Sequence, residues 1–182
     1  MNNIFLTGEK KIGKTTIINR VLKNFDLKMG GFRTLPDKVY NQQGRHLLQA
    51  VDVKSSVTKG VPISGFNADG NLRGLPASFE EQGVEILKEG LSGNYHLLLM
   101  DELGIFEEQA TSFQQWVFKS LSSSIPVLGV IKAKKSPFLD KLRQREDLRL
   151  FGVNLDNREQ LPDTIEKLLQ AILQDTENNS PH

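Results

Sequence analysis

Residues 3–16 read Asn3-Ile4-Phe5-Leu6-Thr7-Gly8-Glu9-Lys10-Lys11-Ile12-Gly13-Lys14-Thr15-Thr16. The apolar run at the start has the length of one buried strand. Residues 8–15 then match the spacing G-x-x-x-x-G-K-S/T of a phosphate-binding loop. Behind the loop, Ile17, Ile18, Val21 and Leu22 fall on one face of a helix predicted over 15–24. Phosphate chemistry requires this order of strand, glycine-bounded loop and helix. Glycines let the backbone curl, so that the N–H groups from Gly8 through Glu9, Lys10, Lys11 and Ile12 to Gly13 point at phosphate oxygens. The helix that follows adds the positive end of its dipole. Lys14 is expected to reach the β- and γ-phosphates, Thr15 to hold a bridging Mg²⁺ through its hydroxyl, and Thr16 to lie near the α-phosphate. Lys10 and Lys11 stand in slots where many such loops place Pro or Gly, and they are assigned backbone donation only.

Beyond the loop, short apolar runs alternate with helical patterns. Strands are expected at 28–33, 95–100, 126–131 and 148–153, and helices at 78–89, 110–121, 137–145 and 162–174. This rhythm is that of an α/β protein with a mostly parallel sheet. The stretch 34–76 breaks it. Turn signals at Asn41-Gln42-Gln43-Gly44 and Asn67-Ala68-Asp69-Gly70 flank strand-like pieces such as 47–53, which predicts an antiparallel hairpin insert. We expect one domain over 1–174 and a flexible tail over 175–182, where apolar residues are nearly absent.

Composition removes whole classes of function. The 182 residues carry 23 Lys+Arg and 22 Asp+Glu, a net charge of +1, so bulk attraction to nucleic acid or an anionic membrane is not expected. Basic residues are dispersed and not interleaved with aromatics, which also argues against nucleic acid. The absence of cysteine excludes disulfides, thiolate metal sites and a cysteine nucleophile. No apolar run approaches the ~20 residues of a membrane span, and the N-terminus lacks a long signal-like apolar stretch. A cytoplasmic protein is the expectation.

The second chemical element is Leu97-Leu98-Leu99-Met100-Asp101-Glu102. An apolar strand ending in Asp beside a phosphate loop is the Walker B arrangement, in which Asp101 would hold the Mg²⁺. Glu102 would polarise the attacking water as general base. Two acids can also merely end a strand and cap the next helix; the phosphate loop upstream favours the catalytic role. Asp101-Glu102-Leu103-Gly104 further spells the D-x-x-G of GTPases, but no N-K-x-D guanine-reading motif accompanies it.

Several blocks, in order, carry a family likeness. They are residues 8–16, Gly31-Phe32-Arg33-Thr34, the segment 74–87, Asp101-Glu102-Leu103-Gly104 followed by Glu107, and Asn157-Arg158-Glu159-Gln160-Leu161-Pro162. Over nearly its whole length the chain resembles the small stand-alone P-loop nucleoside-triphosphatases, known from thermophiles and as the cancer-related nucleoside-triphosphatase. The resemblance implies a three-layer, RecA-like P-loop fold with an inserted antiparallel portion. It also implies slow, Mg²⁺-dependent hydrolysis of ATP, GTP, CTP and UTP to diphosphates with little base discrimination. One departure stands out: where the family more often has Lys-Met after D-E-I-G, this chain has Ile105-Phe106, and Ile105 cannot contact phosphate.

Remaining candidates are weaker. Arg33, at a strand end on the catalytic edge, is a candidate phosphate contact, though an exposed loop arginine reads equally well. Asn157 and Arg158 precede the last helix, where P-loop proteins often contact base or ribose; a network holding that loop is the alternative. Lys132, at another strand end, is a candidate γ-phosphate sensor. Phe113, Trp116 and Phe118 read as packing residues and His96 as a hydrogen-bonded, packed one. The leading function is nucleoside-triphosphate hydrolysis by Lys14, Thr15, Asp101 and Glu102. The alternatives are a nucleotide or small-molecule kinase, and a nucleotide-gated module docking an unknown protein on the hairpin insert. Kinase lids usually bring several arginines, and the insert has only Arg45 and Arg73.

Overall fold

The computed structural model describes residues 2–37, 46–51 and 60–178. The leading strand is β1 (Asn3–Thr7), followed by the loop and α1 (Lys14–Leu22). Next come β2 (Met29–Pro36), β3 (His46–Ala50), β4 (Val61–Pro62), β5 (Ser64–Phe66) and β6 (Leu72–Gly74). A continuous helical stretch is built from α2 (Pro76–Ser78), a π-helical turn (Phe79–Gly83) and α3 (Val84–Ser92). The chain continues through β7 (Leu97–Leu103), α4 (Thr111–Leu121), β8 (Val127–Ile131), α5 (Pro137–Arg143), β9 (Leu148–Gly152) and α6 (Leu161–Asn178). Among the described residues, no helix is long and apolar enough to cross a membrane.

Seven strands form one sheet in the order β4-β3-β2-β7-β8-β1-β9, parallel from β2 to β9 and antiparallel at β3 and β4. The two-residue period of a strand sends neighbours to opposite faces, and this divides the core in two. Ile4, Leu6, Leu97, Leu99, Leu128 and Val130 pack with Ile17, Ile18 and Val21 of α1 and Ile165 and Leu169 of α6. Phe5, Leu98 and Met100 face the other way, onto Leu87 of α3, Phe113 and Val117 of α4 and Leu139 of α5. The result is three layers, helix–sheet–helix, with a mostly parallel α/β sheet. It explains why these strands are apolar throughout rather than alternating.

The expected insert is antiparallel, but it does not form a separate body. β3 and β4 extend the edge of the main sheet, and among the described residues only β5 and β6 form their own hairpin, closed by the 67–71 turn. The turn expected at 41–44 lies outside the described residues, as do 52 and 53 of the expected 47–53 piece. Several boundaries differ from expectation. β2 runs on to Pro36 because β3 pairs with it, and β7 starts at Leu97, leaving His96 before the strand, exposed, and accepting a hydrogen bond from the Lys28 N–H at 3.1 Å. The last helix continues to Asn178, so 175–178, expected in the tail, are helical.

Topology sets the stage for the site. β8 lies between β1, which leads into the phosphate loop, and β7, which carries the acids. The residue that follows β8, Lys132, therefore emerges between the two motifs. In parallel α/β sheets this carboxyl-end edge is where ligands bind.

Candidate active site

The loop after β1 is shaped by backbone conformations that side chains resist. Gly8 and Gly13 have φ of +145° and +110°, and Lys11, at +66°, also lies in the left-handed region. At Gly8 space matters as well: a Cβ would stand 2.6 Å from the Val153 carbonyl oxygen beyond β9. No acidic residue occupies the first turn of α1, so its positive end faces the loop uncompensated. Lys14 is only 7% exposed, and its Nζ donates to the carbonyls of Gly8 at 2.9 Å and Glu9 at 2.7 Å. Burial lowers its pKa, and the ammonium of Lys132 adds to that, while the carboxylates of Glu102 and Asp101 oppose it.

The acids arrive from β7 by an irregular route. Its register against β8 shifts between Met100 and Leu103: Met100 pairs with Gly129, but Leu103 pairs with Ile131. Three steps on one strand thus match two on the other, a bulge. In a regular strand, residues 101 and 102 would point to opposite faces. Here both serve the same edge. Asp101 accepts from the Thr15 hydroxyl at 3.2 Å and pairs with Arg33 at 3.3 Å. Glu102 pairs with Lys132 Nζ at 2.9 Å, and its carbonyl accepts from the Thr34 hydroxyl at 3.2 Å. Burial raises the pKa of Asp101, against the opposing pull of Arg33 and the Thr15 hydrogen bond.

A Mg²⁺ held by a P-loop enzyme takes hard oxygen ligands, usually one or two from the protein and the rest from phosphates and water. The Thr15 hydroxyl and the Asp101 carboxylate stand side by side at the loop, so the residues present fit such an ion. No cluster of three or more His, Cys, Asp or Glu suited to a metal occurs among the described residues. An all-protein cage is thus not what this site offers.

Glu107 lies just behind the acids. It is 2% exposed, and its carboxyl accepts from the Gly104 N–H at 3.1 Å. Burial pushes its pKa up to about 7, with Lys132 opposing and Glu102 reinforcing. Below pH 4.5 both folded and unfolded chains hold this proton. Between pH 4.5 and about 7 the unfolded chain releases it first, so stability falls as pH rises, levelling off above pH 7. The full shift corresponds to ~3 kcal/mol. Glu107→Gln, which mimics the protonated acid, is therefore expected to be more stable than wild type at pH 8 by up to that amount. The two should converge near pH 4.5. Urea unfolding at both pH values checks this, and a less stable variant at pH 8 would show that the carboxylate itself is needed.

Gly8, Glu9, Lys10, Lys11, Gly13, Lys14, Thr15, Thr16 and Glu102 line one cavity of about 1000 Å³. Its remaining described walls are His46, Leu72, Ile105, Phe106, Lys132, Ala133 and Lys134. Ile12 instead packs into the core beneath the loop. Arg33 sits at Asp101 and is not part of that lining. Nor are Asn157 and Arg158. The Asn157 side chain donates to the Gly152 carbonyl at 2.8 Å and accepts from the Asn154 N–H at 3.0 Å, so it closes the loop between β9 and α6. Arg158 lies 3.5 Å from Glu159 on the surface. Phe113 is fully buried, while Trp116 and Phe118 are partly buried against the same core. Sequence reading missed the partnership of Lys132 with Glu102 and the Phe106 wall; a lysine after the strand lying between the two motif strands is the signal, and it needs the strand order.

A model of the NTPase family matches residues 3–166. The chain belongs to that family. Among its relatives is the nucleoside-triphosphatase THEP1 of Natranaerobius thermophilus, 30% identical over 94% of this chain and 98% of the relative. The human cancer-related nucleoside-triphosphatase is also 30% identical, over 90% and 94% of the two chains. The crystal structure of THEP1 from Aquifex aeolicus superposes with a TM-score of 0.73 at 21% identity, covering 92% of this chain and 98% of that one, and supports the fold. The solution structure of a human cancer-related nucleoside triphosphatase gives 0.71 at 26% identity, covering 94% and 98%. The P-loop fold expected from the resemblance is thus the fold this NTPase family member has.

Proposed function

We propose that this NTPase family member hydrolyses nucleoside triphosphates to diphosphate and phosphate, with Mg²⁺ and little base discrimination. The observation that carries the reading is the meeting of Lys14, Thr15 and Glu102 on one cavity, with Asp101 bonded to Thr15. The loop N–H groups and Lys14 bind the phosphates and balance their charge. Asp101 and Thr15 are the residues that would hold Mg²⁺, which when bound neutralises charge on the β- and γ-oxygens. Glu102 orients water in line with the β–γ bridge and accepts its proton, and Lys132 holds the carboxylate in place. Tolerance of different bases is supported by Asn157, whose amide is already bonded to its own loop instead of being offered to a base edge.

Phosphate release from ATP, GTP, CTP and UTP tests this. All four are expected to be hydrolysed at rates within about tenfold of one another, because Asn157, the base-contact candidate among the described residues, is bonded to its own loop. Chelation of the divalent ion is expected to lower each by about a hundredfold or more, since several kcal/mol of charge stabilisation would go. Release from one nucleotide alone, or release insensitive to chelation, would overturn the corresponding part.

A further inference from the structure

Lys132 brings the ammonium that meets Glu102, yet its own loop does not explain why that ammonium stands there. The loop runs from the end of β8 to the start of α5. Ala133, Lys134 and Lys135 are exposed, so burial does not hold it. A lysine sits on a flexible four-carbon stem. Its ion pair with Glu102, with side chains 28% and 22% exposed, is too open to water to fix that stem alone. The backbone of Lys132 has to be held first.

It is held from both sides. The Lys132 N–H donates to the Leu103 carbonyl of β7 at 2.9 Å. Nη2 of Arg143 donates to the Lys132 carbonyl at 2.5 Å and to the Lys134 carbonyl at 2.8 Å. Nη1 of the same guanidinium pairs with Asp140 at 2.7 Å, one helical turn back. Arg143 belongs to the last turn of α5, where a cation ordinarily serves the helix's own final carbonyls. Instead it reaches behind the start of that helix, to carbonyls 11 and 9 residues earlier. The helix is itself anchored: the Ser136 hydroxyl caps it by accepting from the Leu139 N–H, and Phe138, Leu139 and Leu142 are buried. The guanidinium thus ties an exposed loop to an element fixed in the core. Both of its terminal nitrogens are engaged in charge-assisted hydrogen bonds, and a lysine has only one nitrogen to offer.

We propose that Arg143 is a positioning residue for hydrolysis. By holding residues 132–134 it sets the Lys132 ammonium, and through it the Glu102 carboxylate that takes the proton of water. The proposal rests on the hydrolytic reading of Glu102. The path from Arg143 is continuous. Lys132 Nζ stands 2.9 Å from Glu102 Oε1, and the lysine stem lies against Gly104, where a Cβ would come within 3.3 Å of its Cδ. Lys132, Ala133 and Lys134 line the cavity and Arg143 does not, so its effect passes through the loop. Reacting groups tolerate little displacement: about 1 Å can cost a hundredfold in rate.

The test is a double-mutant cycle on the full chain. Phosphate release from ATP with Mg²⁺ gives kcat and KM, and denaturant titration gives the unfolding midpoint of each variant. Arg143→Lys is expected to lower kcat about tenfold while KM stays within about threefold. Lys132→Met is expected to lower kcat at least as much. Adding Arg143→Lys to it should then change kcat by less than about twofold, because the side chain being positioned is gone. Asp140→Asn loosens the same clamp from a half-exposed position. It is expected to lower kcat about threefold, and to have no further effect in the Lys132→Met background. Losses that multiply in the double variants would show that Arg143 supports the fold at large, and would overturn the proposal. So would an unchanged kcat in Arg143→Lys, or a loss confined to KM. If Lys132→Met turns over at the wild-type rate, the positioning role falls while hydrolysis through Glu102 stands. If the wild type releases no phosphate, the hydrolytic reading fails first and takes this one with it.

Discussion

Glu102→Gln is expected to lower phosphate release by about 10² to 10⁴, the range a positioned general base supplies. The substitution keeps the side-chain length and leaves Oε1 able to accept from Lys132, which now stands 2.9 Å away. It removes only the ability to take a proton. Nucleotide binding should persist, because the loop N–H groups and Lys14 are untouched, and one negative charge fewer faces the phosphates. Single-turnover hydrolysis paired with equilibrium binding of a nucleotide separates the two quantities. A variant that releases phosphate at the wild-type rate would remove Glu102 from the chemistry, and the neighbouring acids would have to be reconsidered.

Gly31→Ala is expected to destabilise the fold by about 3–5 kcal/mol, near the upper end for single substitutions. Gly31 lies inside β2 with φ of +93°, a conformation strained for any side chain. Its Cβ would stand 2.1 Å from the Leu99 carbonyl oxygen and 2.9 Å from the Leu99 nitrogen, both backbone atoms of β7. Relief requires β2 and β7 to separate, and two residues beyond Leu99 that same strand delivers Asp101. A loss of this size is a large part of the 5–15 kcal/mol that stabilises a typical domain. Gly152→Ala is the control, because nothing lies within 4 Å of its Cβ position. Denaturant titration of both variants decides the matter, and similar midpoints for the two would contradict the steric argument.

The two positions show different kinds of legibility. Glu102 stands out in the sequence because an apolar run ending in paired acids is a local pattern with a chemical meaning. The Gly31-Phe32-Arg33-Thr34 block is equally visible, yet its reason is not. Only the pairing of Gly31 with Leu99 shows that the glycine is required by the closeness of β7. Arg33 and Asn157 show the same division. The sequence marks Arg33 as a candidate phosphate contact at a strand end and Asn157 as a candidate base or ribose contact before the last helix. Whether each side chain is spent on Asp101, as for Arg33, or on its own loop, as for Asn157, depends on neighbours 68 and 5 positions away.

What the sequence determined by itself is the chemistry whose parts are adjacent in the chain: the phosphate loop, the helix that follows it, and the acidic end of the apolar strand. Backbone N–H groups, a helix dipole and a strand terminus arise from consecutive residues, so spacing alone specifies them. It also determined the alternation of strands and helices, since burial on two faces makes a strand apolar throughout. The tertiary structure decided what depends on strand order and register. Inserting β8 between β1 and β7 brings Lys132 to Glu102, the β7 bulge turns two consecutive acids to one edge, and pairing of β2 with β3 and β7 sets the surroundings of Gly31 and Arg33. These contacts join residues far apart in the chain, and they form only when hydrophobic burial fixes which strands lie side by side.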